Sequence, residues 1–112
     1  MENHRLVLPE HLNQFGFLFG GYLLMWVDEM AWLAASLEHP ECRFVTVAMD
    51  RVEFKISVKK GSILHFYAKK IKTGHTSITY RVTVERLKEE IFSNEVTLVN
   101  VDEAGTKQLL PN

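Results

Sequence analysis

Cysteine is almost absent from this sequence: the 112 residues contain only Cys42, so no disulfide can form within the chain. Glycine and proline are also scarce, at six and three residues, which argues against a collagen-like or disordered chain. Neither sign of charge dominates, because 13 Lys and Arg oppose 14 Asp and Glu. We therefore expect no nucleic-acid partner, although a local basic site stays open.

Signals for metals and for several common enzyme classes are missing as well. The five histidines have no HxH, HxxxH or His/Cys spacing, so we expect no metal. No glycine-rich phosphate loop, serine-hydrolase elbow or dinucleotide-binding fingerprint occurs. The first residues lack the apolar segment and cleavage site of a signal peptide, which predicts a cytoplasmic location.

The longest apolar run covers residues 20–37 and is rich in Leu, Met and Ala, so it predicts one helix that ends before Pro40. A membrane span is the alternative. The run is slightly shorter than the roughly 20 residues that a span needs, and Asp28 and Glu29 lie at its centre. We therefore expect no membrane partner and a buried helix that other elements surround.

After Pro40 the sequence is typical of strands, rich in Val, Ile, Thr, Phe and Tyr. Short connections predict that consecutive strands are antiparallel neighbours, and a change of apolar phase near Asp50 predicts a bulge. The predicted strands are 43–58, 62–71, 76–87 and 90–101, with His4–Leu8 as a possible edge strand. These elements predict a single α+β domain over residues 1–112, with a curved antiparallel sheet of about five strands around one long helix.

The residues before and within the helix combine groups that can carry chemistry. Backbone N–H groups at a helix N-terminus are unpaired, and Gly20 and Gly21 let a carbonyl oxygen approach them as in an oxyanion hole. Asn13 can add an amide donor, and Asp28 can act as a general base. Each also has a structural reading, as a tight turn, a cap or an ion pair. Glu29 competes with Asp28, since adjacent helical side chains point about 100° apart.

A second set of polar residues lies at the turns between predicted strands. Lysines and N–H groups at glycine turns suit the phosphates of a single ligand, with hydroxyls as further donors. The set comprises Lys59, Lys60 and Gly61, then Lys69, Lys70 and Lys72, then Gly74, Thr76 and Ser77. A hairpin with a solvated, lysine-rich edge is the commoner structure with these residues. We expect structural roles for His65, His75 and Cys42, which have no recognisable catalytic partner.

Taken together, these residues resemble the hotdog-fold acyl-coenzyme A thioesterases, in particular bacterial short- and medium-chain and vertebrate cytosolic acyl-CoA hydrolases. The ordered motifs cover nearly the whole chain: Leu8-Pro9, Asn13-x-x-Gly16-x-x-Phe19-Gly20-Gly21, Asp28, Val45-Thr46-Val47, Val52-x-Phe54, Gly61, Gly74-x-Thr76-Ser77, Val101-Asp102-x-x-Gly105 and Leu110-Pro111. The resemblance implies hydrolysis of an acyl-CoA to a fatty acid and CoA without a metal or other cofactor.

The resemblance also implies roles for residues of this chain. Asp28 would be the catalytic carboxylate, as general base or nucleophile, and Asn13 its polar partner from the facing subunit. The N–H groups at Gly20 and Gly21 would polarise the thioester carbonyl. The expected CoA contacts are Gly74, Thr76 and Ser77, with Lys59 and Lys60 as candidates for the phosphates. The family forms dimers, usually assembled as a trimer of dimers, which predicts a hexamer.

Some residues depart from the family pattern. His11 and Leu12 stand where many relatives carry Asp-Thr, and Phe17 replaces a small or polar residue, so the approach to the site is more apolar. Two other functions stay open at this point. One is a non-catalytic module that binds acyl-CoA for regulation, and the other is a hotdog dehydratase or isomerase with His11 as its base.

Overall fold

The computed structural model describes residues 1–111, which form one long helix packed against a five-stranded antiparallel sheet. This confirms the predicted α+β class and the strand number. The elements in chain order are β1 (Glu2–Leu6), a 3₁₀ turn (Pro9–His11), α1 (Gly20–Glu38), β2 (Phe44–Phe54), β3 (Ile63–Thr73), β4 (Ser77–Arg86) and β5 (Glu89–Asn100).

The helix α1 has the predicted start and ends one residue later than predicted. Its last turn is closed by the His39 N–H, which donates to the Ala35 carbonyl at 2.9 Å just before Pro40. One side of α1 packs on the sheet through Leu23, Trp26, Val27, Met30, Ala31, Ala34 and Ala35. The opposite side is open, with Met25 54% and Trp32 45% exposed. The sheet therefore covers only one face of a helix that we expected to be surrounded.

The strand order is β1-β3-β4-β5-β2, and every neighbouring pair is antiparallel. The β3–β4 and β4–β5 hairpins confirm two of the predicted connections. The prediction that β2 and β3 are neighbours is wrong, because β2 pairs with β5 at the other side of the sheet. The segment after Phe54 instead runs past the helix start, where the Leu18 N–H donates to the Val58 carbonyl at 2.7 Å. The Gly61 N–H then bonds the Val7 carbonyl at 2.8 Å, beside β1.

The edge strand β2 is irregular. The predicted bulge near Asp50 is confirmed: the register of β2 against β5 shifts between Asp50 and Glu53, and Arg51 has a φ of 51°. A second shift lies between Thr46 and Ala48. The predicted edge strand at the N-terminus is also confirmed as β1, with a shift in bounds to Glu2–Leu6.

The core lies between α1 and the inner face of the sheet. Alternation along β4 places its apolar residues inward, and Ile78, Tyr80, Val82 and Val84 are all at most 4% exposed. The largest fully buried side chains include Phe66, Phe92, Leu64 and Leu98. Burying each such side chain contributes about 1.5–3 kcal/mol, so packing against the sheet fixes the position of α1. Within residues 1–111, no helix combines the length and apolarity that crossing a membrane requires.

Candidate functional site

Asp28 lies on the side of α1 that faces β2, and its carboxylate is half-buried. The Thr46 hydroxyl in β2 donates a hydrogen bond to Asp28 Oδ1 with an O–O distance of 2.5 Å. The neighbouring Glu29 accepts instead from Arg5 Nη2 in β1, at 2.7 Å. Since β1 and β2 are opposite edges of the sheet, the carboxylates of Asp28 and Glu29 point toward opposite edges. Only Asp28 faces the β2 edge, where the helix start also lies.

Thr46 is the residue that the sequence reasoning missed. It lies within a run of valines and pairs with the buried Leu98, so its side chain is on the helix-facing side of β2. A polar residue at an inward-facing strand position is a signal that can be recognised in a sequence. The shift of register immediately after Thr46 obscures the alternation, so this signal was not evident.

The helix start carries two free backbone donors. The N–H groups of Tyr22 and Leu23 bond the Phe19 carbonyl at 3.0 and 3.3 Å. Those of Gly20 and Gly21 meet no acceptor within residues 1–111, as is usual in the first turn of a helix. These donors and the positive end of the helix dipole suit a carbonyl oxygen that gains negative charge.

The two glycines also meet a packing requirement. A Cβ at Gly20 would lie 3.3 Å from the Phe54 ring, and one at Gly21 would lie 2.6 Å from the Phe19 ring. A pocket of about 180 Å³ opens beside Gly20, and both apolar and polar side chains line it, those of Leu18, Leu23, Phe54, Lys55, Ile56, Ser57 and Val58. Gly20 can therefore serve both roles, close packing against Phe54 and the approach of a carbonyl oxygen to its N–H group.

Asn13 holds the loop before α1 in shape. Its Oδ1 accepts from the N–H groups of Phe15 and Phe17 at 2.9 and 3.1 Å, and Gly16 completes the turn with a φ of 85°. Within its own subunit, Asn13 therefore caps the turn before α1, as the structural interpretation of this residue predicted. Its side-chain Nδ2 donates to no residue within the described part of the chain, and no hydrogen bond there joins Asn13 to Asp28. The amide donors are thus available to another molecule.

His11 is a packing residue beside that loop. Its Nδ1 accepts from the Leu8 N–H at 3.0 Å, and its ring lies edge-on to Trp26 at 4.8 Å and to Tyr22 at 5.0 Å between centroids. Because Nδ1 already holds a backbone proton donor, His11 is a poor general base through that atom. This geometry disfavours the dehydratase or isomerase reading.

The other histidines and the cysteine have surroundings that fit structural roles. His65 Nε2 lies 2.9 Å from Glu2 Oε1, and its ring stacks on His4 at 4.2 Å. His75 is exposed in the turn before β4. Burial, with a smaller effect from Glu41, raises the pKa of the Cys42 thiol, which disfavours the reactive thiolate.

The turn between β3 and β4 contains three of the predicted CoA contacts. The Gly74 N–H donates to the Ser77 carbonyl at 2.8 Å, and a Cβ at Gly74 would lie 2.8 Å from Ser77 Oγ. The hydroxyls of Thr76 and Ser77 form no side-chain hydrogen bond within residues 1–111. Ser77 in β4 pairs with Val99 in β5, and Val99 pairs with Val45 in β2, the residue before Thr46. Two strand spacings, about 10 Å, therefore separate Ser77 from Val45 across the sheet.

The lysines do not form one group. Lys59 and Lys60 are exposed before the start of β3, whereas Gly74 follows its end, and the 11-residue strand between them spans about 35 Å. Lys70 is also engaged, because its Nζ donates to Glu38 Oε2 at 2.8 Å. The expectation that residues 59–60 and 69–72 hold the phosphates of one ligand is therefore wrong within a single subunit.

Metal ligands are not brought together in the part of the chain that the structure describes. Residues 1–111 contain no cluster of three or more His, Cys, Asp or Glu side chains that can hold a metal ion. Independence from metals stays a prediction for the working protein.

Comparisons with known proteins agree with the sequence-based resemblance. Residues 15–92 match the family model of the thioesterase superfamily. An uncharacterized acyl-CoA thioester hydrolase of Zymomonas mobilis is 35% identical over 106 residues, covering 88% of this chain and 69% of that protein. A hexameric thioesterase of Yersinia pestis is similar in structure, with a TM-score of 0.92 and 34% identity over 98% of this chain and 93% of that chain.

Two further solved structures bear on the fold and the ligand. A hexameric hotdog-fold thioesterase of Campylobacter jejuni has a TM-score of 0.89 and 32% identity, covering 97% of this chain and 88% of that one. An acyl-CoA hydrolase of Staphylococcus aureus, solved with butyryl-CoA and CoA, has a TM-score of 0.90 and 26% identity, over 100% of this chain and 71% of that one. Single Asn→Ala, Asp→Ala and Thr→Ala variants of that hydrolase have also been solved. The predicted hotdog fold is confirmed.

Proposed function

The chain belongs to the thioesterase superfamily, and we propose that it hydrolyses an acyl-CoA thioester to a carboxylic acid and free coenzyme A. The observation that supports this most is the pairing of Asp28 with Thr46 on the same side of α1 as the free N–H groups of Gly20 and Gly21. Acyl transfer requires a carboxylate base or nucleophile and unpaired donors for the carbonyl oxygen. Eight helical residues, about 12 Å, separate Gly20 from Asp28, so the donors of one subunit would serve the carboxylate of its partner.

Asp28 would act on the acyl carbon in one of two ways. As a general base it takes a proton from water while the water oxygen bonds to the carbonyl carbon; as a nucleophile it forms an anhydride that water then opens. In both cases the C–S bond breaks, the CoA thiolate takes up a proton, and one water is consumed. Thr46 is proposed as a positioning residue, because its hydroxyl fixes one carboxylate oxygen and leaves the other free.

The helix start would stabilise the charge that develops on the thioester oxygen. Gly20 and Gly21 supply backbone N–H groups that are preoriented by α1 and need no reorganisation. Removing one donor of this type costs about 2.7–4 kcal/mol of transition-state stabilisation in other enzymes.

A complete site would need a second subunit. Within one subunit Asn13 and Asp28 do not meet, and we propose that Asn13 reaches Asp28 of the facing subunit through its free Nδ2. The β2 edge and the open face of α1 carry a group of exposed apolar side chains, defined here as the β2 seam: Met25, Trp32, Val45, Val47 and Phe54. The similar thioesterases of Yersinia pestis and Campylobacter jejuni are hexameric, which supports oligomerisation of this chain. We propose a dimer joined along the β2 seam and a trimer of such dimers.

The CoA part of the substrate is proposed to lie along Gly74, Thr76 and Ser77, where free hydroxyls and a glycine turn allow close approach. Because Lys59 and Lys60 lie at the far end of β3, they would meet the phosphates only from another subunit. Coenzyme A enters as substrate, and we expect no metal or other cofactor. Dialysis against a chelator should therefore leave the hydrolysis rate unchanged. The single domain over residues 1–112 and the cytoplasmic location also stay predictions.

The proposal is tested by thiol release from a panel of acyl-CoAs of different chain length. Asp28→Ala should lower the hydrolysis rate by about 10²–10⁴-fold, whereas Glu29→Ala, which alters the adjacent carboxylate only, should leave it near wild type. Undiminished hydrolysis by Asp28→Ala would remove that residue from the mechanism. Tight binding of acyl-CoA by the wild type with no turnover would favour the non-catalytic module instead.

A further inference from the structure

Met25 is an apolar side chain on the open face of α1, one helical turn before Asp28. It is 54% exposed, whereas its neighbours Leu24 and Trp26 pack against the core. Residues three apart on a helix lie on the same side, with about 5–6 Å between their Cβ atoms. Met25 is therefore next to the proposed catalytic carboxylate, on a surface that the subunit itself leaves open.

The shared site determines where the twofold axis of the proposed dimer crosses α1. The donors of Gly20 in one subunit would serve Asp28 of its partner, and symmetry requires the reverse pair as well. An axis that exchanges the two pairs passes midway between residues 20 and 28 of the helix, at residue 24. Of the residues at this level, Met25 is the one that faces outward. The two copies of Met25 would therefore meet at the axis.

The β2 strand gives the same position for the axis. At one end of β2, Phe54 packs against Gly20, and toward its other end Thr46 bonds Asp28. Midway between these two strand residues is Asp50, at the bulge where the pairing of β2 with β5 shifts. A bulge bends a strand and interrupts its ladder, so regular contact between two β2 edges ends at this level. Space between the subunits is therefore expected at the axis.

The two arms of a thioester bound at Asp28 point in different directions. The CoA arm is proposed to lie at the turn before β4. This turn is at the end of the sheet where β2 begins, because Asn100 pairs with Phe44 and its N–H bonds the Thr76 carbonyl at 2.9 Å. Trp32, one turn beyond Asp28, donates from its indole to the Phe44 carbonyl at 3.2 Å. The CoA arm thus leaves toward the C-terminal end of α1, and the acyl arm extends the other way, toward the axis.

We infer that Met25 is a specificity-determining residue that closes the acyl pocket and sets the upper length of the acyl chain, an inference that rests on the proposed hydrolase function. Four helical residues, about 6 Å, separate Asp28 from the axis, so a chain has little room before it meets Met25. The partner's Met25 completes this wall, which the two acyl pockets of a dimer share. A longer chain would have to displace both methionines and enter the other pocket.

The experiment compares kcat/KM for acetyl-, butyryl-, hexanoyl- and decanoyl-CoA. Met25→Ala should raise the ratio of decanoyl-CoA to butyryl-CoA hydrolysis by about 10-fold or more, since one methylene group in an apolar pocket changes kcat/KM by at least that factor. Met25→Phe, which adds volume to the wall, should lower the ratio of hexanoyl-CoA to acetyl-CoA. Light scattering measures whether each variant keeps the native mass. Either variant alone tests the inference, because the two expected shifts are opposite.

Two further variants test the direction of the chain. Leu37→Ala is the matched control, because Leu37 is 69% exposed on α1 but lies nine residues beyond Asp28, away from the axis. Neither Leu37→Ala nor Trp32→Ala should change the chain-length profile. A shift toward longer chains in Trp32→Ala, or unchanged profiles in assembled Met25 variants, would overturn the inference. A wild type that hydrolyses no acyl-CoA contradicts the proposed function itself, whereas hydrolysis with unaltered profiles contradicts the inference alone.

Discussion

Asp28 and Glu29 are consecutive residues of α1, yet their carboxylates meet partners on opposite edges of the sheet. Asp28 accepts from Thr46 in β2 and Glu29 accepts from Arg5 in β1. A step of about 100° along the helix is enough to separate them, because α1 lies across a sheet whose edges are these two strands. The helix thereby directs one carboxylate to the β2 seam and pairs the other within the subunit.

Thr46→Val should lower kcat by about 10–100-fold with little change in KM, because a hydrogen bond to a charged group contributes about 1.5–3 kcal/mol. The substitution keeps the side-chain shape and removes only the donor to Asp28. Steady-state thiol release measures both constants, and Thr46→Ser should restore most of kcat. A loss confined to KM, or no rescue by serine, would contradict the positioning role.

Charge introduced into the β2 seam should separate the subunits and remove activity at the same time. Val47 is 55% exposed beside the shift of register in β2, and Val47→Lys would place like charges at a twofold contact. The native mass, measured by light scattering, should then fall toward the 13.0 kDa of one chain. Leu87→Lys, at a residue 93% exposed in the β4–β5 turn, is the control and should change neither quantity. A fully active monomer would refute a shared site.

The secondary structure was predictable because it depends on local pattern. The apolar run of α1, the alternation of Ile78, Tyr80, Val82 and Val84 in β4, and the phase change near Asp50 are all legible in the sequence. The pairing of β2 with β5 could not be predicted from the sequence, since β3 and β4 lie between these two strands in the chain. Short connections predict neighbours only where the chain turns straight back, which it does not do after Phe54.

The arrangement of the candidate site could not be predicted from the sequence. Spacing along the helix shows that Asp28 and Glu29 diverge, but which of them faces the β2 edge depends on how α1 packs across the sheet. Clustering of lysines in the sequence suggested one phosphate site, although a strand of 11 residues separates Lys60 from the Gly74 turn. The contact of Thr46 with Asp28 and the burial of Asn94 depend on packing and strand register, which exist only in three dimensions.

Glu38 should make stability depend on pH in the acid range. Lys70, by a hydrogen bond of 2.8 Å, and Tyr80, by one of 3.1 Å, hold the pKa of the Glu38 carboxyl below its ordinary value. A carboxyl whose pKa is lower in the folded state stabilises the fold above its unfolded pKa, and that contribution disappears as the pH falls through the folded pKa. Because 41% of the Glu38 side chain is exposed, the effect should be below about 1 kcal/mol.

The measurement for Glu38 is urea unfolding at neutral pH and near pH 3. Glu38→Gln should be less stable than the wild type at neutral pH, and the difference should shrink as the pH falls through the folded pKa of Glu38. Glu10→Gln, at an exposed residue of the 3₁₀ turn, serves as control and should match the wild type throughout. A difference between Glu38→Gln and the wild type that is constant with pH would show that the charge plays no part.

Asn94→Val should make the protein more stable, because the buried amide of Asn94 in β5 has no hydrogen-bond partner within residues 1–111. Valine has nearly the same volume, favours strands and buries no polar atom, so the unfolding free energy should rise by about 1–2 kcal/mol. Urea unfolding at one fixed protomer concentration measures this, because the stability of an oligomer depends on concentration. A less stable Asn94→Val would mean that the amide is already satisfied in the free protein.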